Sequence, residues 1–199
     1  MDAADTPKQP TQPRRRYAKG EATRQEILDR TIEVLAKRGA QRTSLRAIAS
    51  EIGITHAALT YYFGSLDQLL IEVYRHWDTR EDPPPSLTRA PVEGMLDSAR
   101  GNRDVPGLVQ LYTSLCAAAL DDNRGVVQDY IAQRFARIRE EVAHSVRRCQ
   151  TEGSIRSDID PHAAAALIIA ASDGLQIQWL LDGDAPQTEA LALLQKVLS

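Results

Sequence analysis

The segment Leu45–Gly64, LRAIASEIGITHAALTYYFG, constrains the fold more than any other stretch of the chain. Leu45, Ile48, Ala49 and Ile52 recur at the spacing of one helical face, and Gly53 closes the run. Thr55 follows as the N-cap of a second, short helix reaching Phe63. Two helices joined this tightly cross at a steep angle. The crossing needs a small residue at the contact, which Ala49 supplies, and a turn residue tolerant of positive φ, which is Gly53. Ile48, Ile52, Ile54, Leu59 and Tyr62 are spaced to pack the second helix on the first, leaving Thr55, His56, Ala57, Thr60 and Tyr61 outside. That outer face is small, polar and aromatic, which suits entry into a DNA major groove about 12 Å wide. The alternative is an ordinary helical hairpin with glycine at its turn. The joint agreement of small residue, glycine and apolar positions argues against it.

The same helical period runs through the rest of the chain. Met1 to about Ala18 carries prolines at positions 7, 10 and 13 and then Arg14-Arg15-Arg16, with almost nothing apolar, so residues 1–20 read as a disordered basic arm. From Glu21, Ile27, Leu28, Thr31, Ile32 and Leu35 form a helical stripe that Gly39 ends. Thr43-Ser44 offers the cap for the helix that follows, and Ser65 opens a fourth helix carrying Leu69, Leu70, Val73 and Trp77. Glu81-Asp82-Pro83-Pro84-Pro85-Ser86 forbids a helix and marks a module edge. Beyond it the spacing predicts helices over 91–101, over 104–120 with Asp104 as N-cap and Pro106 just inside, and over 124–152. The long one carries Val127, Ile131, Phe135, Ile138, Val142, Val146 and Cys149 on one face. Asp160-Pro161 starts another through Leu181, and Ala185-Pro186 leads into Leu191, Leu194 and Leu198. No stretch alternates with period 2, and there is no internal repeat. The expected fold is all-α with about nine helices. A helix-turn-helix domain over 21–66 and a connecting helix over 67–80 precede a helical domain over 87–199.

Composition narrows the function. At 199 residues, 43% apolar and 26% charged, the chain is of ordinary globular type. The apolar run Ala163–Ala171 is half the length of a membrane span, and the polar N-terminus has no secretory h-region, so neither a transmembrane helix nor a signal peptide is expected. Cys116 and Cys149 lie far apart without metal-type spacing, which favours a reduced, cytoplasmic setting. Residues 1–80 hold 13 Lys and Arg against 10 Asp and Glu, while residues 81–199 hold 11 against 17. Within Arg14–Gly64 the ratio is 10 to 5. A basic front module on an acidic body suits a polyanionic partner, although an excess of this size also fits a solvated surface. His56, His76, His144 and His162 show no paired ligand spacing, and no nucleophile-elbow, Walker or dinucleotide motif is present. No enzymatic activity, cofactor or metal is expected.

Residues Gly39–Leu70, GAQRTSLRAIASEIGITHAALTYYFGSLDQLL, resemble the N-terminal DNA-binding domain of the TetR/AcrR transcriptional regulators. Gly39, Thr43, Ile48-Ala49, Gly53, Leu59, Tyr62-Phe63, Ser65 and Asp67 match that family's pattern, and the likeness covers residues 21–80 closely. The remainder agrees in helical layout and length. The resemblance implies binding of double-stranded DNA at a palindromic operator. Thr43 would meet a phosphate at the start of the second helix, beside Ser44 and Arg46. Thr55, His56, Ala57, Thr60 and Tyr61 would face bases, and Tyr62 the DNA backbone. Two positions depart from the pattern: Thr60 stands where the family usually has Tyr, and Leu66 where it usually has Lys. Lys19, Arg42 and Arg46 are candidates to restore the charge, or lie on a solvated helix face. The Arg14–Arg16 run either enters an adjacent minor groove or adds only nonspecific, salt-sensitive affinity.

In the body, Asp160–Leu181 is apolar nearly all round and must be covered on every side, by its own chain or by a second copy. Alanines and Gly174 permit close helix approach, and Gln178 with Trp179 makes an amphipathic anchor. The resemblance implies that this helix and the last one form a four-helix homodimer interface, for which Leu167, Ala171, Gly174, Leu175, Gln178 and Trp179 are the candidates. It also implies a small-molecule effector held among the body helices, whose binding releases DNA. Polar side chains set among apolar stripes, Tyr112, Tyr130, Arg134 and Asp173, are candidate ligands for it; a rim ion pair or a satisfied core tyrosine is the plainer reading of each. The expected function is a ligand-responsive dimeric regulator, a repressor, with no membrane partner. The alternative is an all-α carrier or enzyme whose helix-turn-helix no longer binds DNA.

Overall fold

Short polar side chains set four of the helix starts. Ser44, Thr55, Ser65 and Asp160 each accept a hydrogen bond from the backbone N–H three residues on, satisfying a donor that the first helical turn would leave bare. The computed structural model describes residues 13–40, 43–79, 89–121 and 125–199. These residues form nine α-helices and no strand: α1 Pro13–Arg38, α2 Leu45–Ile52, α3 His56–Phe63, α4 Leu66–Asp78, α5 Pro91–Arg103, α6 Leu108–Ala118, α7 Val126–Thr151, α8 Pro161–Leu181 and α9 Gln187–Leu198. The proline-rich segment 81–86, residues 1–12 and Arg42 lie outside the described residues.

Two boundaries differ from expectation. Helix α1 begins at Pro13, so the final part of the arm expected to be disordered through residue 20 is helical in its backbone. The apolar stripe from Ile27 onward nucleates the helix. Extension toward the N-terminus then costs little, because arginine, alanine and lysine are good helix formers and proline fits a first turn. The helix expected from Asp104 starts instead at Leu108, and Asp104 caps the C-terminal end of α5. Gly107 is the cause: it sits at φ 84°, a left-handed conformation no helix can run through.

The helices assemble around two apolar clusters. One joins Ile27, Leu28, Ile32 and Leu35 of α1 to Ile48, Ile52 and Leu59 of α2 and α3 and to Leu69 and Val73 of α4. It continues without a break into Leu108, Leu111 and Leu115 of α6 and Val127 and Ile131 of α7. The other joins Val92 of α5, Val142 and Val146 of α7, Ala165 and Ile168 of α8, and Leu191 and Leu198 of α9. Helix α4 therefore belongs to both halves, packing on α1 and α3 and also on α6 and α7. Helix α8 is long and apolar enough, by length and composition, to cross a membrane. In this fold it packs on α5, α6, α7 and α9.

The turn between α2 and α3 follows the expected chemistry. Gly53 adopts φ 75° and ψ 31°, its N–H bonds the Ala49 carbonyl, and the Ile54 N–H reaches that carbonyl at 3.0 Å. A Cβ at Gly53 would meet nothing within 4 Å. Gly53→Ala should therefore cost only the left-handed backbone penalty, about 1–2 kcal/mol in chemical denaturation. A loss above about 3 kcal/mol would contradict the open space around the Gly53 Cα.

Candidate nucleic-acid interface and ligand cavity

The outer face of α3 is open to solvent, and its geometry follows from what holds the inner face. Leu59 and Phe63 are buried against α1, α2 and α4. The Arg24 guanidinium lies 5.2 Å from the Phe63 ring centre and pairs with Glu72 at 2.8 Å, fixing α1, α3 and α4 together. Thr55, His56, Ala57 and Tyr61 are exposed, with Tyr61 at 84%. Thr60 is half-buried and turns its hydroxyl back to donate to the His56 carbonyl at 2.9 Å. Tyr62 is half-buried and packs edge-on to Tyr61.

At the start of α2 the Thr43 hydroxyl donates to the Gly39 carbonyl at 2.8 Å, so only its oxygen lone pairs remain, which a phosphate cannot use. The Thr43 N–H is also committed, to the Ala40 carbonyl at 3.3 Å, whereas Arg46 is exposed. Ser44 is exposed and already caps α2. Leu66, where a lysine was expected from the family pattern, is half-buried and packs on the first apolar cluster. Its substitution trades a cation for core contact.

Three of the four ligand candidates meet in space. Tyr112 of α6 donates its hydroxyl to Asp173 of α8 at 2.8 Å. Arg134 of α7 lies with its guanidinium 4.7 Å from the Tyr112 ring centre and 5.2 Å from that of Tyr74, two rings stacked at 5.3 Å. Arg134 also grips Asp78, the last residue of α4, through Nη2 at 2.8 Å and Nε at 3.2 Å. Arg137 and the Tyr74 hydroxyl donate to the same carboxylate, each at 3.2 Å. Tyr130, the fourth candidate, stands edge-on to Tyr74 and under the Arg75 guanidinium.

These contacts form one wall of a cavity of about 130 Å³. Arg134 and Asp173 line it, together with Trp77, Asp78, Ser172 and Gln176, whereas Tyr112 and Tyr130 do not. Burial pushes Tyr74 and Tyr112 well above the usual phenol range and Tyr130 up to about 12, so all three remain hydrogen-bond donors at neutral pH. Burial opposes the Arg134 charge, but the paired Asp78 carboxylate outweighs it and holds the guanidinium ionised. Burial also raises the Asp173 carboxyl above the usual range, against the Tyr112 hydrogen bond and the Arg134 charge. Asp78, Tyr74 and Trp77 were not singled out from the sequence. Asp78 meets Arg134 across 56 residues, a separation that no local pattern encodes.

On the opposite side of α8 an apolar face is left uncovered. Leu167 and Ile177 are exposed at 51% and 46%, Leu193 and Val197 of α9 at 62% and 58%. Gln178 is exposed, and Ala171 and Gly174 are half-exposed on the same face. Leu175 is not part of it. It is buried in the second cluster, because its helical position follows Ile168 and Ser172 rather than Leu167 and Ala171. Trp179 is half-buried beneath the Arg103 guanidinium at 4.8 Å.

Residues 27–73 match the family model for bacterial regulatory proteins of the tetR family, and residues 88–199 match that for the C-terminal part of BetI-type transcriptional repressors. The HTH-type transcriptional regulator SrpR of Pseudomonas putida is 25% identical, over 86% of this chain and 81% of that one. The probable acrEF/envCD operon repressor of Escherichia coli is 24% identical, over 93% and 89%. Among solved structures, a putative TetR-family regulator from Rhodococcus sp. superposes with a TM-score of 0.72 at 22% identity, covering 88% of this chain and 97% of the other. With both of its halves matched, the chain belongs to the TetR family of bacterial transcriptional regulators.

Proposed function

We propose that the protein is a homodimeric repressor that reads an inverted-repeat operator with α3 and leaves it when a small molecule enters the cavity beside α4. The observation that carries this reading is the double membership of α4. It packs on α1 and α3, while Trp77 and Asp78 at its far end line the cavity. A ligand that shifts the last turn of α4 therefore moves the head that carries α3. Coupling of this kind needs a differential affinity between two arrangements, and the Asp78–Arg134–Arg137 cluster supplies discrete contacts that an occupant must preserve or break. Two solved neighbours, AibR with isovaleryl coenzyme A and operator DNA and SmeT with triclosan, are complexes of this general kind.

The dimer would form on the uncovered apolar face of α8 and α9. Its two-fold symmetry would set two recognition helices facing half-sites about one DNA turn apart. Base reading is assigned to Thr55, His56, Ala57, Thr60 and Tyr61, and backbone contact to Tyr62, Ser44 and Arg46. Because Tyr61 touches little of its own chain, Tyr61→Ala should weaken operator binding about tenfold or more per dimer, with the melting temperature unchanged. Fluorescence anisotropy with an operator duplex checks it, and unchanged affinity would remove Tyr61 from the base-reading set. Enzymatic or carrier chemistry has no observation favouring it over this reading.

A further inference from the structure

We propose that the cavity takes a small organic cation, an amine in its ammonium form, with Asp173 as its counter-ion. This rests on the cavity being the effector site and adds the chemical class of the effector.

Charge pairing carries the inference. The cavity lining holds the carboxylates Asp78, Asp97, Glu141 and Asp173 against the guanidinium groups Arg134 and Arg137. Asp78 receives both arginines, and Glu141 pairs with Arg137 at 2.9 Å. Asp97 pairs with Arg89 and Arg100, neither of which lines the cavity. Asp173 is left. One of its oxygens accepts from the neutral Tyr112 hydroxyl, and among the described residues it has no ion pair. Arg134 acts on it only through space, its Nε and Nη2 being committed to Asp78. An incoming anion would find both guanidinium groups paired and a carboxylate opposing it.

A second, independent feature stands next to Asp173. Ser172 is 1% exposed, lines the cavity, and its Oγ has no hydrogen-bond partner. A buried hydroxyl left unmatched is costly, so it marks a position where a ligand group completes the pairing. An ammonium group brings three donors and no acceptor, which suits one carboxylate oxygen and one hydroxyl oxygen together. Trp77 lines the same space, and an indole is the best side-chain partner for a cation. A metal ion fits poorly, since no group of three His, Cys, Asp or Glu side chains is assembled for one among the described residues. The volume, about 130 Å³, is close to that of cavities that admit benzene, about 150 Å³.

Three probes of similar size and different charge test this on the full chain: benzylammonium, benzyl alcohol and benzoate, titrated calorimetrically into the wild-type protein and Asp173→Asn. Asparagine keeps an acceptor for Tyr112 and removes the charge. Benzylammonium should bind about tenfold or more tightly than benzyl alcohol, benzoate should bind most weakly, and Asp173→Asn should erase the preference for the cation. The wild-type ranking stands by itself if the variant fails to fold. Equal or tighter binding of the alcohol or benzoate would overturn the proposal. So would an undiminished preference in folded Asp173→Asn, or no benzylammonium binding up to about 10 mM. Operator affinity is read in parallel. Asp173-dependent binding that leaves it unchanged would uphold the cation site and overturn its role as an effector site.

Discussion

Gly107→Ala is expected to destabilise the protein by about 3 kcal/mol or more and to lower its melting temperature by about 10 °C. Two costs coincide at this position. Its φ of 84° is a conformation that a Cβ penalises by about 1–2 kcal/mol. A Cβ built there would also lie 2.8 Å from the Ala36 Cα and 2.9 Å from its backbone nitrogen. Both are main-chain atoms of α1 and cannot rotate away, so α1 and the start of α6 would have to separate, at an overpacking cost of about 1–3 kcal/mol. Gly53→Ala is the internal control, with similar φ and no neighbour. Thermal and urea unfolding of the two variants side by side measure the difference. Equal losses would mean that α1 does not approach α6 at Gly107. The separation should also disturb DNA binding, since α1 carries the helix-turn-helix.

Replacing Leu167 and Leu193 together by Glu should convert the proposed dimer to a monomer and weaken specific operator binding by about a thousandfold or more. Both side chains are more than half exposed, so the monomer loses little of its own core, and sedimentation should show a folded species of half the mass. Four carboxylates brought together across a two-fold axis oppose association, whereas each leucine contributed apolar area. A monomer keeps one eight-residue recognition helix, and its remaining affinity should approach the nonspecific, salt-governed level. A variant that stays dimeric would move the interface away from α8 and α9. A monomer that keeps operator affinity would remove the need for two half-sites.

Legibility in the sequence followed the range of the interaction. Capping residues act within three positions, so Ser44, Thr55, Ser65 and Asp160 were readable and each makes its expected bond. The α2–α3 turn was readable for the same reason, through Gly53 and Ala49. The start of α6 was misjudged because Asp104 and Pro106 imitate a helix start, while the left-handed turn at Gly107 is shaped by contact with α1. Arg134 and Asp173 stood out as polar residues among apolar ones, which is a local signal. Their pairings did not: Arg134 meets Asp78 across 56 residues and Asp173 meets Tyr112 across 61. The sequence does not separate Leu175, which is buried, from the exposed Leu167, because α8 is apolar all round and such a helix carries almost no amphipathic signal to distinguish its sides.

Selection of purified, folded protein against a random duplex DNA pool, at low and high salt, tests operator reading by a dimer most directly. The expected result is enrichment of an inverted repeat with half-sites about one helical turn apart, bound more weakly as salt rises. Enrichment of a single unrepeated site, or of nothing at either salt, would contradict it.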